Sequence, residues 1–269
     1  MKRWVSLRKV KKSLSLVKLM NGMPREQPAT VFCDFDGPLV DVSARYYSTY
    51  RLALANVCEY YNTDNLLISI TPLSQEQFWQ MKRNRVPDIE IAGKSGLPPA
   101  AIDPFLAQVS YIVNHNDLLY QDTIQPGVSW ALNLLRSEGI ELVLVTLRAQ
   151  EQAEQILAKA GLLQLFSGIF GIHSNEDVAY VNSIELKTQL LKNAAAVHWP
   201  VNVRDQQTAC TIGDTEADIW AGRNLGIETI ALTCGIRSQE YLQQQSPSVI
   251  LEDLVSASNY LVRSKVAYA

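Results

Sequence analysis

The sequence predicts a doubly wound, Rossmann-like α/β core built on a parallel sheet, with a smaller, all-helical domain inserted into it. Two observations carry this expectation. After residue 139, short apolar β-rich runs alternate with helix-length amphipathic stretches, the pattern of a parallel sheet covered on both faces. A segment of about 80 residues with helical periodicity separates the opening β-run from that alternation.

Taken in order, ATVFC at 29–33 is apolar and β-prone, and a buried strand there delivers Asp34 and Asp36 to one rim of a sheet. SARYYSTYRLALANVCEYYN, SQEQFWQMKRN and AAIDPFLAQVSYIVNHNDLLY read as helices, and the Pro- and Gly-rich VPDIEIAGKSGLPP between the last two reads as a loop. Further strands are expected at IELVLVTL, FSGIFGIH, TACTIGD, IETIALT and SVIL, and helices at RAQEQAEQILAKAG and SIELKTQLLKNAAAV. The expected organisation is a basic N-terminal extension over 1–28, an α/β core over 29–42 and 123–269, and an inserted helical domain over 43–122.

With 47% hydrophobic residues the chain can bury a substantial core. Cys33, Cys58, Cys210 and Cys234 are far apart and form no Cys-x-x-Cys pair, so they read as thiols of a reducing, cytoplasmic compartment rather than a zinc site or disulfides. His115, His173 and His198 are isolated, which argues against a histidine metal cluster. No apolar run is long enough to span a bilayer. The first 25 residues hold eight Lys or Arg and no acid, whereas the rest is acidic. That opening segment reads as a solvated extension, with an interfacial anchor or a targeting peptide as alternatives. Nothing in the acidic remainder suggests a nucleic-acid partner.

The GKS at Gly93–Ser95 lacks the glycine that a phosphate-binding loop needs five residues earlier, where Asp88 stands. The polar residues that bear chemistry lie elsewhere. Asp34 and Asp36 follow the first strand, Thr146 is expected to end the second, Lys187 opens a helix, and Asp214 ends a strand with Asp218 behind it. Two carboxylates held close at a sheet's rim repel, and a shared proton or a cation relieves the repulsion.

In this order the motifs resemble those of the haloacid dehalogenase superfamily, in the phosphatase branch whose helical cap follows the first motif. DFDGPLVD corresponds to the first motif, Thr146 in VLVTLR to the second, Lys187 to the third and GDTEAD to the fourth; the likeness covers about residues 29–255. The resemblance implies a Mg²⁺-dependent phosphatase of a small phosphorylated metabolite. Asp34 would be the nucleophile and Asp36 the acid and base, and Thr146 and Lys187 would bind the phosphoryl oxygens. Gly37, Leu147 and Arg148 would complete substrate binding. Mg²⁺ would take Asp34, the backbone carbonyl of Asp36, and Asp214, with Asp218 holding a coordinated water or a neighbouring contact. Two points depart from the pattern or leave it open. Pro38 stands where the family usually has Thr and offers no N–H, and Lys192 competes with Lys187 for the third motif, Lys187 being preferred as nearer the helix start. A sugar-phosphate mutase shares all these residues. A phospho-accepting signalling module shares their types but places its acidic pair before the Thr. Lys82, Arg83, Arg85 and Lys94 form a basic cluster in the insertion, with Lys94 expected to contact substrate from a loop. The expected assembly is a monomer or a homodimer.

Overall fold

The computed structural model describes residues 28–63, 69–173, 182–203 and 208–263; the basic segment up to residue 27 lies outside them. All six expected strands form one parallel sheet: β1 (Thr30–Cys33), β4 (Glu141–Ala149), β5 (Gly168–Ile172), β6 (Ala209–Gly213), β7 (Glu228–Leu232) and β8 (Val249–Leu251). Their order is β5-β4-β1-β6-β7-β8, which puts the first strand at the centre, Thr30 opposite both Glu141 and Ala209.

Alternation along the strands sorts the core into two faces. Val31, Cys33, Leu142, Leu144, Cys210 and Ile212 pack on one side, under α5 (Val128–Ser137), α6 (Gln150–Lys159) and α10 (Leu254–Val262). Phe32, Val143 and Val145 pack on the other, under α7 (Ile184–His198) and α8 (Glu216–Leu225). A short helix α9 (Gln239–Gln244) closes the edge near β8.

Between β1 and β4 the chain leaves the sheet and forms α1 (Ser43–Thr63), α2 (Gln75–Arg83), α3 (Asp88–Lys94), α4 (Pro99–Ile112) and a 3₁₀ turn at Asn116–Gln121. These helices have a core of their own around Tyr50, Leu54, Phe78, Ile91 and Phe105. Tyr50 stacks on Phe78 at 4.8 Å between ring centroids. The expected loop across VPDIEIAGKSGLPP is corrected here, because Asp88–Lys94 is helical and buries Ile91 and Ala92. The signals were present: acidic Asp88 and Glu90 in the first turn, Lys94 in the last, and Gly96 just beyond at φ +89°. Two further short strands, β2 (Val40–Asp41) and β3 (Thr123–Ile124), pair antiparallel and lace the outgoing and returning crossings together. Among the described residues no helix is long and apolar enough to cross a membrane, and all four cysteines are free.

Candidate active site

The carboxyl ends of the parallel strands meet at one rim, where open α/β sheets bind ligands. Asp34 directly follows β1, and its N–H still donates to the Ile212 carbonyl of β6 at 2.8 Å. Asp214 directly follows β6, and one of its oxygens accepts the Ile236 N–H at 2.6 Å. The second strand does not end at Thr146, as expected; it runs on to Ala149 with an irregular register between Val145 and Ala149. That bulge sets Thr146, Leu147 and Arg148 on the rim, a usual role for bulges beside sites. Opposite them, Ser183 caps α7 by accepting the Leu186 N–H, which places Lys187 in the first turn, facing the sheet.

These residues enclose a cavity of ≈ 110 Å³ lined by Asp34, Asp36, Thr146, Leu147, Arg148, Lys187 and Asp214 among others. Lys187 Nζ lies 2.6 Å from Asp34 Oδ1 and 2.8 Å from Asp218 Oδ1. Burial would depress the Lys187 ammonium, but the Asp218 and Asp34 carboxylates outweigh it and raise its pKa. Burial first, and the Asp218 charge next, push Asp34 from the ordinary 3.8 to about 7. Asp214 is raised in the same direction by burial and by Asp34. Lys192 is exposed.

Three carboxylates, from Asp34, Asp214 and Asp218, bring oxygens within 4.8 Å of one another. Asp214 Oδ1 is buried with no hydrogen-bond partner among the described residues. An all-oxygen set of buried carboxylates with an orphaned lone pair suits a hard divalent cation, so these residues fit the metal that the motifs imply. Asp218 is the most engaged of the three, because its Oδ2 also accepts from the Thr215 N–H and hydroxyl, capping α8.

Some expected contacts are not formed. The Gly37 N–H donates to Val40 O at 2.8 Å, closing the turn rather than facing the cavity. Gly37 instead supplies a left-handed φ of +97°. Pro38 lines a separate depression with Gln125 and Cys234 and not the cavity at the rim. Lys94 is exposed at the end of α3 and lines none of the cavities described, a correction that follows from its segment being helical. Arg148 lines the cavity, but its guanidinium is committed to Asp36 and Asp122 at 2.8 and 2.7 Å.

A second cavity of ≈ 190 Å³ adjoins the first, sharing Tyr46, Val113, Asn182, Ile236 and Arg237 with it. Its walls come from the inserted helices, including Tyr50, Phe78 and Phe105, with Lys82 and Arg85 among the lining residues. Glu216, inside the fourth motif, holds both Arg85 Nε (2.7 Å) and Arg237 Nε (2.8 Å), and so clasps insertion to core. Arg83 adds a contact to Thr233 O, and Ser238 N–H donates to Arg83 O. Sequence reasoning missed Arg45, Asp122, Asn182, Glu216 and Arg237. Arg45 lies just past the first motif, Asn182 shortly before Lys187 and Glu216 within GDTEAD, but their contacts to Asp122, Thr215 and Arg237 span separations that no local pattern reveals.

Residues 31–232 match the family model for haloacid dehalogenase-like hydrolases. The chain belongs to that family. Among curated relatives, this haloacid dehalogenase-like hydrolase is 25% identical to pyrophosphatase PpaX of Halalkalibacterium halodurans, over 72% of this chain and 87% of that one. It is also 25% identical to a phosphoglycolate phosphatase of Synechococcus elongatus, over 87% of this chain and 98% of the relative. Among solved structures, a Clostridium difficile protein described as a phosphatase superposes with a TM-score of 0.63 at 19% identity, over 88% of this chain and all of that one. The structural likeness speaks for the fold, and the family match for a hydrolase.

Proposed function

We propose that this hydrolase is a Mg²⁺-dependent phosphatase of a small phosphorylated metabolite, working through an aspartyl-phosphate on Asp34. The observation that carries the reading is the single cluster in which Asp34 touches Lys187 while Asp36, Thr146 and Asp214 line the same cavity. We take residues 29–42 and 123–269 as the catalytic core and 43–122 as its cap. The free thiols accord with a reducing, cytoplasmic setting.

In the first half-reaction an Asp34 oxygen attacks phosphorus. The new P–O bond forms as the bond to the leaving oxygen breaks; that oxygen takes the electron pair and the proton carried by Asp36. In the second half Asp36, now a carboxylate, takes a proton from water whose oxygen attacks phosphorus, and the bond to Asp34 breaks to release phosphate. Thr146 and Lys187 hold the phosphoryl oxygens, and Leu147 walls the pocket beside them. Asp34, the Asp36 carbonyl, Asp214 and Asp218 would hold the metal, which when bound supplies positive charge against the repulsion between nucleophile and phosphoryl oxygens. The leaving group extends into the second cavity, where Arg85 and Lys82 replace Lys94 as the cations of the cap nearest to it.

The test is a panel of phosphorylated metabolites incubated with purified protein and Mg²⁺, reading released phosphate, with Asp34→Asn as the control. Phosphate release that survives Asp34→Asn would sink the reading. Isomerised sugar phosphate without phosphate release would assign a mutase instead.

A further inference from the structure

Asp36 sits in a ring of alternating charge that no motif foretells. Arg45 Nη2 is 3.3 Å from Asp36 Oδ2, and Arg45 Nε is 2.8 Å from Asp122 Oδ1. Arg148 Nη2 closes the ring, 2.8 Å from Asp36 Oδ1 and 2.7 Å from Asp122 Oδ2. The two arms differ in kind. Arg45 makes aligned hydrogen bonds to both carboxylates, whereas the Arg148 contacts are ion pairs without hydrogen-bond alignment. Direction is therefore imposed on Asp36 by Arg45, and on Arg45 by Asp122. Two more acceptors, Val113 O at 2.5 Å and Asn114 Oδ1 at 3.3 Å, fix the remaining guanidinium arm.

Burying charges in such a ring is costly, and apolar packing of the same volume commonly serves stability as well or better. The side chains of Arg45, Arg148 and Asp122 are almost wholly buried, while that of Asp36 keeps 26% exposure. Asp36 lines the catalytic cavity; Arg45 and Asp122 do not. Arg45 lies in the first turns of α1, just past the outgoing crossing, and Asp122 stands immediately before β3, on the returning one.

We propose that Arg45, fixed by Asp122, is the positioning residue that aims the Asp36 carboxyl at the leaving oxygen, so that the proton donor is aligned only while both crossings hold the cap seated. This rests on the assignment of Asp36 as acid in the proposed function. The step it serves is transfer of the Asp36 proton to the leaving oxygen as the P–O bond breaks.

The test compares kcat/KM across a series of substituted phenyl phosphates, from 4-nitrophenyl phosphate, whose leaving phenolate needs little protonation, to unsubstituted phenyl phosphate, which needs more. Asp122→Asn should lower kcat/KM for phenyl phosphate at least about tenfold more than for 4-nitrophenyl phosphate, and Asp36→Asn should show the same steepening. A uniform loss across the series in Asp122→Asn, or no loss, while Asp36→Asn steepens, overturns the proposal. If Asp36→Asn itself fails to steepen the series, it is the acid assignment that falls, and the proposal with it. Circular dichroism verifies folding first, and should Asp122→Asn unfold, the charge-balanced pair Arg45→Gln with Asp122→Asn carries the same comparison.

Discussion

A β-carbon at Gly235 would stand 1.9 Å from an Asp214 carboxylate oxygen, and one at Gly37 would stand 2.3 Å from the same group. Asp214 thus occupies space that its neighbours leave by having no side chain. Gly235→Ala should push that carboxylate aside and raise the Mg²⁺ concentration for half-maximal activity by about tenfold, measured by metal titration of phosphate release; an unchanged requirement would remove Asp214 from the metal's ligands. Asp34 carries a second consequence. With its pKa raised from 3.8 to about 7 by burial and by Asp218, the folded state keeps a proton that the unfolded chain releases near 3.8. That contribution to stability is fully present below 3.8 and is lost as pH rises through about 7. In chelator the melting temperature should fall across this window, Asp214 adding in the same direction, and Asp34→Asn should flatten the fall.

At the scale of elements, α7 presents Lys187 because Ser183 starts the helix where it does. Ser183→Ala should cost about 1 kcal/mol in urea unfolding, with activity falling by more than the stability loss alone explains, since the first turn carries Lys187. The six strands of the main sheet were legible because each is a compact apolar run, the four inner ones largely buried on both faces as parallel strands are. The positions of Asp34, Asp214 and Lys187 were legible for a related reason, as polar residues at strand ends or a helix start. What the sequence hid depends on partners far along the chain. The bulge that carries β4 past Thr146 is set by pairing with β5, and β2 and β3 are too short to show a period. Helix α3 was hidden by flanking Pro and Gly residues that also serve as helix boundaries.

For the whole molecule, the charge ring at the crossings and the Arg85–Glu216–Arg237 clasp across the cavities are two of the places where insertion and core meet among the described residues. Arg85 is 41% exposed on its side chain, so its ion pair adds little to stability, below about 1 kcal/mol. On the proposed function its effect falls on substrate binding, since it lines the second cavity. Arg85→Ala should lower kcat/KM for the best metabolite of the panel by roughly tenfold while leaving 4-nitrophenyl phosphate nearly unchanged, and Lys94→Ala should change neither. Equal losses on both substrates in Arg85→Ala would remove it from substrate recognition.

The place of β1 in the sheet also governs how the chain comes together in time. Among the described residues it is the earliest strand of the sheet and lies in its middle, with Thr30 facing Glu141 on one side and Ala209 on the other. Both edges of β1 therefore wait, unsatisfied, while the inserted helices, whose contacts are more local, can already gather around Tyr50 and Phe105. Until β6 emerges, the strand that delivers Asp34 is an apolar segment with one open edge, the condition under which large chains stall or aggregate. Refolding from urea should accordingly be slow and multiphasic, with helical signal returning before Asp34 and Asp214 are brought side by side, and phosphatase activity recovering last.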